Sequence, residues 1–364
     1  MRMTRRNLLS GAFAGLAGVA ATVAVGRSSR GDAPTPRFDR PHRVLQAPAR
    51  TVRDRPPVLT TVAFHPLEPR LAAAGDDHHV YLWNLADEGP ATMLRGHADW
   101  ILSVAYHPGG HVLATAGADH RVLFWDTASG EPIHVFTDAR HVVTQLAWNR
   151  GGDRIAGVGF ENRVRIYDTA QRALLMELPS PSDDMRVVAY SPDDRWLAAA
   201  GRDGSTRVWR AATGEHLFDY RAHRQRIRGL AFSPDGQYVV TAGEDRVVHI
   251  HGVESDDEGF DLPVGKGKIL SIAFLGREQL ATGGADNRLR IWDLKQRVEI
   301  GQLTGPQGSV ASLAYSPRYR LLAAGSFDTT ARVWAMAEEV SVETLEASAP
   351  PEPVSVRAQV EEKR

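Results

Sequence analysis

The sequence contains no cysteine. That absence excludes a disulfide framework, a thiolate metal site and a cysteine nucleophile together. Charge of one sign is equally lacking, because 43 basic residues face 44 acidic ones and leave a net charge of −1. No overall attraction for nucleic acid or acidic lipid follows from such a balance, and no nucleic-acid partner is expected. Phosphate cradles are missing too: there is no GxxxxGK[ST]. Gly157-Val158-Gly159 lacks the third glycine and the following helix of a dinucleotide site. No GxSxG elbow is present either. Enzymatic activity and a bound cofactor are therefore not expected.

Aromatic residues make up only 7% of the chain, yet they fall in step. An apolar-Ala-aromatic unit recurs at Phe64, Tyr106, Trp148, Tyr190, Phe232, Phe274 and Tyr315, with spacings of 42 five times and then 41. A second series follows at Trp83, Trp125, Tyr167, Trp209, His251, Trp292 and Trp334. Six residues before each stands an acid: Asp77, Asp119, Glu161, Asp203, Asp245, Asp286 and Asp328. Seven units in phase mark a repeat architecture.

Each unit reads as four short strands. In the second, WILSVAYHP alternates and turns at Pro108-Gly109-Gly110, then HVLATAG, RVLFWD and PIHVFTD follow between turn signals. One four-stranded sheet cannot bury both faces, so neighbouring sheets must stack. The expected fold is all-β, a seven-bladed β-propeller of four-stranded antiparallel blades over residues 57–347. Between 27 and 56 the chain reads as a linker, with a possible ring-closing strand at 43–52 whose Val52 matches Leu94 in phase. Leu345 offers a second candidate for the outer strand of blade 7. Residues 348–364 read as a disordered acidic tail, and seven glutamates follow Trp334.

These residues resemble the WD40-repeat family. Gly96-His97 matches the Gly-His that opens a repeat, and Trp125-Asp126 and Trp292-Asp293 match the Trp-Asp that ends a third strand. The resemblance implies a structural network in which the turn Asp orients the His, the His meets a hydroxyl, and the hydroxyl meets the Trp indole. Blade 2 alone has all four members: His97, Thr115, Asp119 and Trp125. They mimic a catalytic triad, but Thr115 recurs as Thr241 and Thr282, and recurrence marks architecture. Blade 3 has Glu161 and Tyr167, and blade 5 has His251 for Trp, so these two are expected to be the softer blades. His249 and His251 share a strand face, but with no third ligand they suggest no metal site.

The resemblance also implies a protein-interaction scaffold, working as a monomer, whose partners meet the face bearing the loops before the first strand and after the second. The partner itself is not legible. On that face Trp100, Phe160, Arg202, Arg226, Lys268 and Phe327 are the candidate partner-binding residues, since aromatics and arginine dominate hot spots. A second reading is a ligand sensor or enzyme that uses the central channel. Along the inner strand most residues are small or apolar, but Arg186 and Arg228 are exceptions able to meet an anion.

The front of the chain carries the one long apolar run. Arg2, Arg5 and Arg6 precede Leu8 to Val25, which has no charge. Residues 1–26 read as a signal peptide or membrane anchor. Thr4-Arg5-Arg6-Asn7-Leu8-Leu9 resembles the twin-arginine export motif, with Leu8 where that family often has Phe. The expectation is a prokaryotic protein exported already folded to the periplasm, or anchored to the inner membrane. Membrane contact would then be made only by this segment if it stays uncleaved.

Overall fold

The computed structural model describes residues 37–38, 43–48 and 55–336, except 138, 181 and 255–258. The segments read as leader (1–26) and acidic tail (348–364) lie outside the described residues, as do Val52 and Leu345. No helix occurs among the described residues, which form seven sheets. Blade 2 shows the plan: Ile101–Tyr106, Val112–Gly117, Val122–Asp126 and Pro132–Phe136 pair antiparallel in chain order. The chain is a seven-bladed β-propeller.

Sheets covered on both faces lose the polar-apolar alternation of a half-exposed strand. The second strands accordingly read LAAAG at 71–75, LATAG at 113–117 and LAAAG at 197–201, and those residues are buried throughout. Small side chains let the sheets approach closely, while Trp and Leu from third strands fill what remains. Seven apolar clusters result, and each spans one boundary between neighbouring blades. At the first boundary, Leu82 and Leu94 of blade 1 meet Leu113, Leu123 and Trp125 of blade 2.

The ring closes through an N-terminal strand. Arg43–Gln46 runs antiparallel to Thr330–Ala335, with Leu45 opposite Ala331. Leu45 and Ala47 join Val333 of blade 7 to Leu59, Leu71 and Trp83 of blade 1. The register corrects the phase reading: Leu45, not Val52, takes the place that Leu94 holds in blade 1, where it faces Val80. Leu45 stands 14 residues before Leu59, whereas Leu94 stands 7 before Ile101, so the connection is longer by 7 and the 42-residue count slips. Upstream, Arg37–Phe38 adds a short parallel strand to the outer edge of blade 6, beside Gln302 and Leu303, within the stretch read as linker. A polar clasp repeats around the ring as well. Ser312 Oγ accepts the Val62 N–H at 3.2 Å across the closure, as Thr61 accepts from Val104 and Ser103 from Leu146.

First strands of neighbouring blades touch all the way round, so they surround the axis. In every blade the ladder between the first and second strand skips one residue: Thr60, Leu102, Thr144, Arg186, Arg228, Leu270 or Ala311. A bulge leaves its extra residue unpaired and re-aims the side chain. The seven bulges form a ring of partly exposed residues about the axis.

Candidate functional site

One face of the propeller is built by a single bond repeated seven times. The residue before each turn acid donates its N–H to the carbonyl of the residue before the first strand: Asp76 to Val58, Ala118 to Trp100, Phe160 to Val142, Arg202 to Asp184, Glu244 to Arg226, Ala285 to Lys268 and Phe327 to Ser309, at 2.8–3.3 Å. Glycine stands just before the donor in blades 1 to 6, and in the first four the approach leaves no room for a side chain, whereas blade 7 has Ser326 there. A Cβ on Gly117 would lie 2.1 Å from the Trp100 carbonyl oxygen, and one on Gly201 2.3 Å from that of Asp184. The acid itself supports the turn. Asp119 accepts the Arg121 N–H while His120 between them has φ of 64°, and Asp328 does the same for Thr330 around Thr329. An Asp at this place stabilises a left-handed residue that would otherwise be strained.

Two circles of fixed, non-repeating positions result, and all six candidate residues occupy them. Trp100, Arg226 and Lys268 belong to the circle before the first strand; Phe160, Arg202 and Phe327 belong to the circle before the turn acid. They run through six consecutive blades, 2 to 7. Their situations differ. Arg202 is exposed, while Trp100 and Phe327 are half-buried. Phe160 is covered by the guanidinium of Arg186, 4.5 Å from the ring centre. Arg226 and Lys268 are engaged with carboxylates, Arg226 Nη1 at 3.3 Å and Lys268 Nζ at 2.7 Å from Glu244. Arg226 also faces Asp184 at 3.6 Å, and Arg186 Nη2 donates to Asp184 at 3.1 Å. A line of contacts thus crosses four blades: Phe160, Arg186, Asp184, Arg226, Glu244, Lys268. Burial alone would raise the Glu244 carboxyl, but Lys268, Arg228 and Arg226 outweigh it and hold it below its ordinary range. The two carboxylates organise this patch; as pairing partners for Arg226 and Lys268 they were invisible in the sequence, because 18 and 24 residues separate the paired groups.

Arg186 and Arg228 are the bulged residues of blades 4 and 5 and the only charged members of that ring. Burial draws the Arg228 guanidinium down to about 10, and the charges of Arg186 and Arg226 press the same way against the pull of Glu244 and Asp184. It remains a cation at neutral pH.

The four residues of blade 2 meet in one chain. His97 Nδ1 lies 2.8 Å from Asp119, His97 Nε2 lies 2.7 Å from Thr115 Oγ1, and Trp125 Nε1 donates to the same oxygen at 2.8 Å. Thr115 is 0% exposed, so its hydroxyl cannot reach a substrate. Burial opposes ionisation of Asp119, but the bonds from His97, Ala98 and Arg121 prevail and hold its carboxyl low. Blade 5 repeats the His223–Asp245 and His223–Thr241 contacts at 3.0 and 2.9 Å, with Tyr220 stacked on His251 at 4.3 Å between ring centres.

Elsewhere a different residue, which sequence reasoning missed, reaches the turn acid. Four places after the acid, Tyr81 donates to Asp77, Arg165 to Glu161, Arg290 to Asp286 and Arg332 to Asp328. The spacing was legible, but a pair across a turn carries no periodic signal. His249 pairs with Asp261 at 2.6 Å, and no metal-ligating group of three occurs among the described residues. Gly157 and Gly159 lie in the second strand of blade 3, opposite Leu146 and Val143, and not in a phosphate loop.

Comparison with known proteins matches the description "WD domain, G-beta repeat" to residues 48–84, 89–126, 172–210, 214–251, 262–293 and 297–335, over half of the chain; most of blade 3 falls outside the matched segments. Similar proteins include a periodic tryptophan protein 2 homolog of Neurospora crassa, 38% identical over 60 residues, which are 16% of this chain and 7% of that protein. A probable cytosolic iron-sulfur protein assembly protein 1 of Eremothecium gossypii is 40% identical over 57 residues, 15% of this chain and 17% of its own length. A U3 snoRNP-associated protein-like protein of Arabidopsis thaliana is 38% identical over 55 residues, 15% and 12% of the two chains. The chain thus spans less than a fifth of each relative. With seven closed blades, the His97–Thr115–Trp125 network and six matched repeats, this chain belongs to the WD40-repeat family.

Proposed function

We propose that this propeller is a non-catalytic scaffold for protein partners, and that its partners dock on the arc from Trp100 in blade 2 to Phe327 in blade 7. The observation that carries the reading is the double circle of positions tied by one backbone bond per blade. Scaffold and side chain are separated there: the repeat fixes the backbone, and side chains differ from blade to blade. Exposed Arg202 and half-buried Trp100 are available to an incoming surface, whereas Arg226 and Lys268 are spent on Glu244. Such anchors carry most of the binding energy of an interface. The names of two relatives, an assembly protein and a snoRNP-associated protein, accord with a role among protein partners.

Residues 1–26 support a further part of the reading: export from a prokaryotic cytoplasm by a twin-arginine route, to the periplasm or the outer side of the inner membrane. Two experiments test the whole. Affinity capture from the source cells, compared between wild type and a Trp100→Ala/Arg202→Ala variant of equal stability, should lose specific proteins; an unchanged set defeats the docking arc. Arg5→Lys/Arg6→Lys should retain the protein in the cytoplasm, and N-terminal sequencing of the exported chain tells a cleaved leader from an uncleaved anchor.

A further inference from the structure

The seven bulges around the axis are architecturally equivalent, and five carry Thr60, Leu102, Thr144, Leu270 or Ala311. A bulge here therefore needs no charge. Blades 4 and 5, side by side, carry Arg186 and Arg228 at that position. Arg186 has a partner in Asp184 and a ring beneath it in Phe160. Arg228 differs: it is partly exposed at the axis, and among the described residues no carboxylate lies within ion-pair distance of its guanidinium. A cation that has lost part of its hydration without gaining a partner favours an incoming counter-charge. The local balance leaves room for one. Arg186, Arg226, Arg228 and Lys268 supply four positive charges, and Asp184 and Glu244 return two.

We propose that the mouth of the channel between blades 4 and 5 binds a dianionic phosphate group in the fork of Arg186 and Arg228. Two planar guanidiniums aimed by consecutive bulges match the several acceptor oxygens of phosphate, and a surplus of two positive charges matches its charge near neutral pH. Both arginines stand at the bulge position of their first strand, and Asp184 anchors Arg186 there. Such a site can serve a free phosphate monoester or a phosphate displayed on a peptide. The docking arc does not depend on it, since neither Trp100 nor Arg202 takes part.

The test uses the purified full chain in chloride buffer of fixed ionic strength. Calorimetric titration with inorganic phosphate and with a short phosphoserine peptide should give saturable 1:1 binding. Tighter binding of the peptide assigns the site to a displayed phosphate, and equal or weaker binding assigns it to the free anion. Arg228→Leu should abolish both, and Arg228→Lys, which keeps the charge but loses the fork, should weaken both about tenfold. Thermal melting separates this from an architectural role. Without phosphate, Arg228→Leu should melt about 2 °C higher than wild type, because an unpaired cation repelled by Arg186 and Arg226 has been removed. No saturation by either probe, or undiminished binding in Arg228→Leu and in Arg186→Gln, would overturn the proposal.

Discussion

Arg290 closes on Asp286 through two bonds, 3.3 Å from Nη1 and 2.6 Å from Nη2, in a blade that has Gly265 where blade 2 has His97. The turn acid of a WD40 blade requires a hydrogen-bonding partner, and this chain supplies one by two routes. Where His is present, as in blades 2 and 5, it contacts the acid, and the residue four after the acid is Leu123 or is turned elsewhere as His249 is. Where His is absent, Tyr81, Arg165, Arg290 or Arg332 does it from the third strand. Blade 4 departs, since Arg207 pairs with Asp219 instead of Asp203.

Arg290→Leu should therefore destabilise the protein. The Arg290 side chain is only 7% exposed, and its loss strands a carboxylate beside a buried wall. The expected loss is about 1–3 kcal/mol, read from urea unfolding. Adding Asp286→Asn should restore part of it, because the stranded charge is then removed. Equal losses in the single and double variants would show that the pair acts through packing alone.

Trp334 presents the opposite situation. Its indole N–H is buried without a hydrogen-bond partner among the described residues, and Ala324 stands where Thr115 and Thr282 accept the equivalent bonds at 2.8 and 3.0 Å. Blade 6 shows that the hydroxyl works without a His. Ala324→Ser should thus stabilise the ring by about 1 kcal/mol, or about 2 °C in melting temperature. A lower melting point would mean that the cluster around Trp334 has no room for an added oxygen.

How far such features are legible from sequence depends on whether they repeat. Blade number and strand order follow from seven acids and seven aromatic positions in phase, whereas the blade 2 network was implied by the resemblance to WD40 repeats. The closing strand was half legible: the segment was found, but phase pointed to Val52, because an added connection before Leu59 breaks the count. Outer strands have no fixed loop length to obey. In the patch, Arg226 and Lys268 were visible as charged residues on the right face, yet their pairing with Glu244 was not, because it depends on how loops from separate strands meet. Phe160 was legible as an aromatic but not as the floor beneath Arg186.

Acid should weaken the protein in two stages. His65 Nε2 donates to Gly110 of the next blade at 2.9 Å, while its Nδ1 accepts from Leu67 and Glu68. Burial first of all, against the pull of Glu68, holds this imidazole below 6.5, and burial with the charge of His111 does the same for His107. The unfolded chain therefore takes up these protons first. Stability present above about pH 6.5 falls as pH passes below it, and that share is gone below the depressed values. Asp119, Asp245 and Asp328, held low by their bonds despite burial, extend the loss below the ordinary carboxylate range. His65→Gln/His107→Gln should flatten the slope of urea midpoint against pH between 7 and 5; an unchanged slope would assign it to other groups.

Blades 3 and 5 should open first. Blade 3 has Gly157 in place of the network hydroxyl and Tyr167 in place of Trp, and most of it lies outside the matched family segments. Its outer contact is Phe136 against Tyr167 at 4.7 Å, a ring pair without the indole bond that ties third strand to second in blade 2. Blade 5 retains the His223 contacts but ends its third strand in His251, so no indole reaches Thr241. Local opening free energy follows buried contacts and satisfied bonds, and both blades lack one of each relative to blade 2. Native-state hydrogen exchange should show amides of Arg163–Asp168 and Val247–Gly252 exchanging at least tenfold faster than those of Val122–Asp126. Equal protection in all three strands would mean that the ring shares its stability cooperatively, and that the lost Trp bonds are made good by stacking of Tyr220 on His251 and of Phe136 on Tyr167.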